Sequence, residues 1–387
     1  MKDKLLKFIS LLSGYLGKFG VGLLVVLWLL VQLRLYQQYS VKLVPDSTFR
    51  YIPYATEVAA NGITAGAHDN RYLGYIFFLG FFLKTGLSLP AAILAQVAFS
   101  GFAAICLYKI AKALTHSSSI AAFAATLLFI LWKDVQYLNY YILTESLFTS
   151  FILITLYFTI RATSFMSLLP ALLAAGFTTV LRPNGFIVLV GVLLYFLYTQ
   201  RDLLRKYKLT SAVALAGALL LAFLALDKYL LVTFKVVETY ASGSVIYASN
   251  MFALNPQEYQ VTTPPVNQPP VLRITTFIGE HPMYFLKLLL LKLGLFVAYA
   301  KPYYSLFHQL LIILVIYPLY LFSVPFFRSK GWGDTKAFIL TVILLQTAIV
   351  AFTVEDWDSR FVIPLIPLVM ITGVAGARIV VKNILNR

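Results

Sequence analysis

The sequence predicts an all-α polytopic membrane protein, and three observations carry that prediction. Of the 387 residues, 60% are hydrophobic and only 12% charged, where a soluble domain carries about a quarter charged residues. The apolar residues come in long runs, which in lipid only a helix can form while satisfying its own backbone hydrogen bonds. The charged residues fall mostly between those runs. At about 20 apolar residues per span, there is room for about ten transmembrane helices and no separate soluble domain.

The formal net charge of +16 would suit nucleic acid, but Lys and Arg on short loops are also what orients a membrane protein. No basic cluster lies outside the inter-span segments, so nucleic acid is not an expected partner. The single cysteine, Cys106, excludes an intramolecular disulfide. Lys2, Lys4 and Lys7 before an apolar run resemble the start of a signal peptide. No small-x-small cleavage site follows, so an uncleaved first span over about residues 18–35 is predicted, with its N-terminus cytoplasmic.

Nine further spans are predicted at about residues 88–108, 120–132, 142–160, 167–181, 186–198, 211–226, 306–327, 337–352 and 361–377. Two apolar segments are read as lying in the outer interface. Residues 72–83 are short for a span, and if they crossed, the basic run from Arg201 to Lys208 would end outside, against the positive-inside rule. Residues 283–300 carry Lys287 and Lys292 along their length. The result is ten spans with both termini cytoplasmic. Although the cations alone decide this topology, every acid except Asp3, Asp202 and Asp334 falls on the outer side. A transport channel more often carries charge near the middle of its spans.

Two long outer loops follow, at residues 36–87 and 227–303, and loops of that length are usually functional or disordered. The second contains Thr262-Thr263-Pro264-Pro265-Val266-Asn267-Gln268-Pro269-Pro270, too proline-rich for a helix and predicted to be extended. Six outward polar residues stand beside apolar runs: Asp46, Arg50, Arg71, Glu145, Arg182 and Arg360. Each has a plainer role open to it. Asp46 in Pro45-Asp46-Ser47-Thr48 suits a helix N-cap, and Glu145 suits the positive end of its span. Arg182 before Pro183-Asn184-Gly185 suits a turn, and Arg360 can snorkel to the interface. His68 and His281 lack any accompanying metal-ligand spacing.

The order of these features resembles the GT-C superfamily of membrane glycosyltransferases, especially bacterial members similar to protein O-mannosyltransferases and aminoarabinose transferases. After the first span comes an outer loop with Asp46 followed by Arg50-Tyr51, then the interfacial stretch Asn70-Arg71-Tyr72-Leu73-Gly74-Tyr75. Later come Leu143-Thr144-Glu145, the turn Arg182-Pro183-Asn184-Gly185, and Asp358-Ser359-Arg360-Phe361-Val362-Ile363-Pro364. The resemblance covers residues 1–200 well and the rest loosely.

It implies an inverting glycosyltransferase of the bacterial inner membrane. Such an enzyme moves a sugar from a polyprenyl-phosphate donor to a glycan, lipid or protein acceptor at the periplasmic face. Asp46 would be the general base. Arg50, Arg71, Arg182 and Arg360 would hold the donor phosphate, and Tyr51 and Glu145 would orient substrate. Many relatives carry a second acid next to the catalytic Asp, where this chain has Ser47 and Thr48. No cofactor is required by the residues, and a divalent metal, magnesium or manganese, would have to rest on Asp46 and Asp69. Two other readings stay open at this point. One is a lipid-linked sugar flippase, the other a polymerase or ligase acting on diphosphate-linked glycans.

Overall fold

The computed structural model describes residues 2–247, 249–353 and 359–385. It is all-helical, with 79% helix and no strands among the described residues. Asp358 and Arg387 lie outside the described residues. In chain order the first helices are α1 (Lys2–Tyr39), α2 (Ile52–Asn61), α3 (Leu73–Lys84), α4 (Leu89–Leu114), α5 (Ser119–Leu131) and α6 (Lys133–Tyr137). Then come α7 (Glu145–Arg161), α8 (Phe165–Leu181), α9 (Phe186–Thr199), α10 (Arg201–Lys206), α11 (Lys208–Ala225), α12 (Leu231–Phe234) and α13 (Val236–Ala241). The last are α14 (Pro270–Glu280), α15 (Pro282–Ala298), α16 (Leu306–Leu311), α17 (Tyr317–Arg328), α18 (Gly333–Phe352) and α19 (Ile366–Leu385).

Five helices are long and apolar enough to cross a bilayer, and up to seven if each of two bent pairs is one span. The first span is longer than expected, because the helix runs unbroken from Lys2 through the lysine-bearing start to Tyr39. Several other apolar segments form short helices, 17 residues in α8 and 14 in α9. The third predicted span is only 13 residues of α5, and the chain then bends by 58° into residues 133–140. The segment read as interfacial at residues 283–300 is α15, set at 105° to α14.

Helix ends follow local rules. Ser118 caps α5 by accepting the Ala121 N–H at 3.3 Å, and Ser164 with Ser167 forms a capping box on α8. Proline opens α14 and α15, where its missing N–H has no intrahelical role.

The chain forms two compact units: residues 1–195, 311–339 and 363–387, and residues 196–310 and 340–362. In the first, α1 lies along α5, α4 along α7, α7 along α8, and α17 along α19. In the second, the Tyr240 ring stacks on Phe285 with centroids 4.4 Å apart, and the Tyr284 hydroxyl donates to the Tyr240 carbonyl at 2.8 Å. Lys292 is fully buried there, its Nζ 3.9 Å from the Tyr240 ring centroid and without a hydrogen-bond partner. Arg273 on α14 pairs with Glu238 and donates to the Pro264 carbonyl at 3.2 Å. That contact ties down the proline-rich stretch, which forms no helix.

Candidate functional site

The first unit collects most of the singled-out residues. After α1 the chain makes a single parallel bridge between Lys42 and Tyr141. The Lys42 N–H donates to the Tyr140 carbonyl at 2.8 Å, and the Ile142 N–H to the Lys42 carbonyl at 3.2 Å. Asp46 follows the bridge by four residues on one chain and Glu145 by four on the other. Two segments far apart in sequence are thereby fastened side by side, each delivering a carboxylate.

Asp46 is not an N-cap. Its backbone is already helical (φ −60°, ψ −41°) and its side chain caps nothing, whereas a cap needs extended backbone at that position. The Ser47 hydroxyl closes the turn instead, accepting the Val44 N–H at 2.6 Å. That leaves the Asp46 carboxylate for Arg50, one π-helical turn on, whose Nη1 lies 2.7 Å from Asp46 Oδ1. The same guanidinium reaches Asp69 Oδ1 through Nη2 at 2.5 Å and Nε at 3.2 Å. Arg50 therefore bridges two acids, and its cation also lies 5.4 Å from the ring centroids of Tyr51 and Tyr72. Burial works against the Arg50 cation, but the Asp69 hydrogen bond and the surrounding negative groups outweigh it, so its pKa is raised.

Asp69 and Arg71 sit on the short turn His68–Tyr72 that enters α3. The His68 ring approaches both, at 3.2 Å from Asp69 and in direct contact with Arg71. One Arg71 donor, Nε–H, is buried without a partner. The Tyr54 hydroxyl and the Asn70 side chain hold the turn against α2. At Gly74 an added Cβ would lie 3.0 Å from the backbone of Val180 and Leu181, so only glycine lets α3 sit this close to the end of α8. The close approach sets the Asp69–Arg71 turn beside the Arg182 turn.

Arg182 ends α8 with extended backbone (φ −148°, ψ 150°), as the residue before proline should. The Gly185 N–H closes the predicted turn onto the Arg182 carbonyl at 2.9 Å. Its guanidinium lies 3.3 Å from Glu145 Oε1 and over the Phe148 ring. Glu145 opens α7 and is wholly buried, and the Arg182 side chain is 7% exposed. Tyr75 joins the two halves. Its ring meets Tyr51 edge-on at 5.4 Å, and burial first, then the nearby Tyr51 and Glu145, push its phenol well up.

Comparisons with known families, curated proteins and solved structures gave no match. The geometry therefore stands alone.

Behind the polar residues lies an open apolar groove of about 520 Å³, lined by Phe77, Phe78, Phe81, Phe82, Phe99 and Phe151, with Gly74 and Val180 among its walls. One wall is thus three residues from Arg71 and another two from Arg182. Arg360 belongs to the second unit, where it is half-buried beside Ser359, which accepts the Tyr304 hydroxyl at 2.8 Å.

One set of residues went unread in the sequence. Gln96, fully buried on α4, accepts from the Tyr75 hydroxyl at 3.0 Å and donates to the Asn139 and Tyr141 carbonyls at 2.9 Å. Asn139 in turn accepts from Ser146 and donates to Gln136, which is bonded to Gln32 on α1. The signal was there: a lone Gln in Ile93-Leu94-Ala95-Gln96-Val97-Ala98 is a polar residue inside an apolar run, where it needs a partner.

Proposed function

We propose that the protein is a GT-C-like inverting glycosyltransferase that takes a sugar from a polyprenyl-phosphate donor at the outer face of the membrane. The observation that carries this reading is the union of a carboxylate–guanidinium cluster with an apolar groove whose walls run to within three residues of two arginines. A substrate matching it has a long apolar tail, an anionic link and a polar head. The ten-span topology with cytoplasmic termini belongs to the same reading.

In the reaction Asp46 takes the proton of the acceptor hydroxyl as that oxygen attacks the anomeric carbon. The bond from that carbon to the phosphate oxygen breaks, and its electrons leave with the lipid phosphate. A phosphate of this kind is a good leaving group at neutral pH, so no strong acid is needed. The developing charge falls to arginines in a poorly solvated place, where each charge-assisted hydrogen bond counts for more than in water. Arg71 is suited to this by its unused buried N–H. Arg182, steadied by Glu145, is suited by its place at the groove. Arg50 serves the two acids first.

The deciding experiment uses purified protein in lipid nanodiscs with polyprenyl-phosphate sugars as donors. Asp46→Asn is expected to keep donor binding and lose at least 100-fold in transfer rate, the scale of a general base. Transfer at the wild-type rate by that variant overturns the mechanism.

A further inference from the structure

A divalent metal between Asp46 and Asp69 does not fit this site. Among the described residues no three His, Cys, Asp or Glu side chains gather to hold an ion. Magnesium needs near-octahedral oxygen donors at about 2.0–2.1 Å, and calcium six to eight at about 2.3–2.6 Å. The space where such an ion would touch both acids is filled by the Arg50 guanidinium, with contacts of 2.7 Å to Asp46 and 2.5 and 3.2 Å to Asp69. A doubly charged ion brought there would meet a fixed cation at close range.

We propose that Arg50 is the resident counter-cation of the Asp46–Asp69 pair, doing the charge-neutralising work of a divalent metal and closing that position to one. Three features of the site support the assignment. Its planar fork serves two carboxylates at once, which a lysine ammonium does with less geometric control. The spacing of Asp46 and Arg50 is set by one turn of a continuous helix, so the pair forms wherever that turn forms. The rings of Tyr51 and Tyr72 flank the cation and add a favourable ring–cation term. The acid pair is thereby complete without any exchangeable ion.

The test is metal binding by the full-length protein in detergent, followed as the shift of the unfolding temperature and by the paramagnetic resonance of Mn²⁺, an ion that accepts carboxylate and imidazole donors. Wild type is expected to show no saturable Mn²⁺ response that depends on Asp69. Arg50→Ser, which empties the space between the acids, is expected to gain a saturable stabilisation by Mn²⁺. Its apparent affinity should be at least tenfold above wild type, and the gain should vanish on adding Asp69→Asn. Arg50→Gln, closer in size and uncharged, provides the same measurement if the serine variant does not fold.

A wild-type Mn²⁺ site that Asp69→Asn abolishes overturns the proposal, and so does a folded Arg50 variant that gains no Mn²⁺ binding. Only the role of this charge in sugar transfer rests on the proposed function. The binding measurement needs no turnover, and its failure would leave the Asp46→Asn result untouched.

Discussion

At the scale of single residues, the buried pair Glu145–Arg182 is the costliest commitment in the first unit. Glu145 is wholly buried, so its carboxylate has given up hydration and depends on the guanidinium 3.3 Å away. Removing one partner of such a pair is far worse than removing both, because the survivor is left charged in a poor solvent. Arg182→Ala is therefore expected to destabilise by about 3–5 kcal/mol, read as a lowered unfolding temperature in detergent. The double variant Glu145→Leu with Arg182→Met should recover most of that loss. A double variant no better than Arg182→Ala would mean that the arginine matters for packing and not as a counter-charge. Asp46 teaches the complementary lesson. Its position after Pro45 reads equally well as a cap, and only the helical backbone at Asp46 and the reach to Arg50 separate the two roles.

At the scale of elements, the contact between α17 and α19 shows how the bundle is closed. A Cβ on Gly376 would lie 1.7 Å from the Phe322 carbonyl oxygen, and one on Gly373 2.7 Å from the Leu319 side chain. Ser323 and Thr372 share a hydrogen bond of 2.8 Å across the same interface. Small residues and hydroxyls are what membrane helices use where lipid tails offer no hydrophobic driving force. Gly376→Ala must push the helices apart and is expected to cost about 1–3 kcal/mol, as overpacking does. The check is the unfolding temperature, with Gly217→Ala on α11, where an added Cβ meets nothing within 4 Å, as the control. An equal effect of the two substitutions would show that helix propensity, not the contact, is being measured.

At the scale of the whole molecule, the composition and the long helices agree on a multi-pass membrane protein. The orientation follows from where the cations lie, and cysteine accessibility tests it. In a Cys106→Ser background, Lys84→Cys is expected to react with an impermeant maleimide applied from outside. Lys206→Cys should react only after the membrane is opened. Labelling of Lys206→Cys from outside would overturn the orientation that places Asp46 on the outer face.

The sequence by itself determined the solvent and the secondary structure of this chain, because long apolar runs with few charges leave the backbone no option in lipid except helices. It also marked Asp46, Arg50, Arg71, Glu145 and Arg182 as polar residues at the edges of apolar segments, since charge there is expensive enough to stand out. Partnership was beyond its reach. That Arg50 spans both Asp46 and Asp69, that Glu145 answers Arg182, and that Gln96 joins Tyr75 to the chain before α7 all depend on contacts between residues 19 to 45 positions apart. Such pairings are set by where helices cross, and the crossings are set by local permissions such as Gly74 against α8 and the bridge at Lys42. Only the tertiary structure decides those, because no propensity or period along the chain encodes which distant segment will be the neighbour.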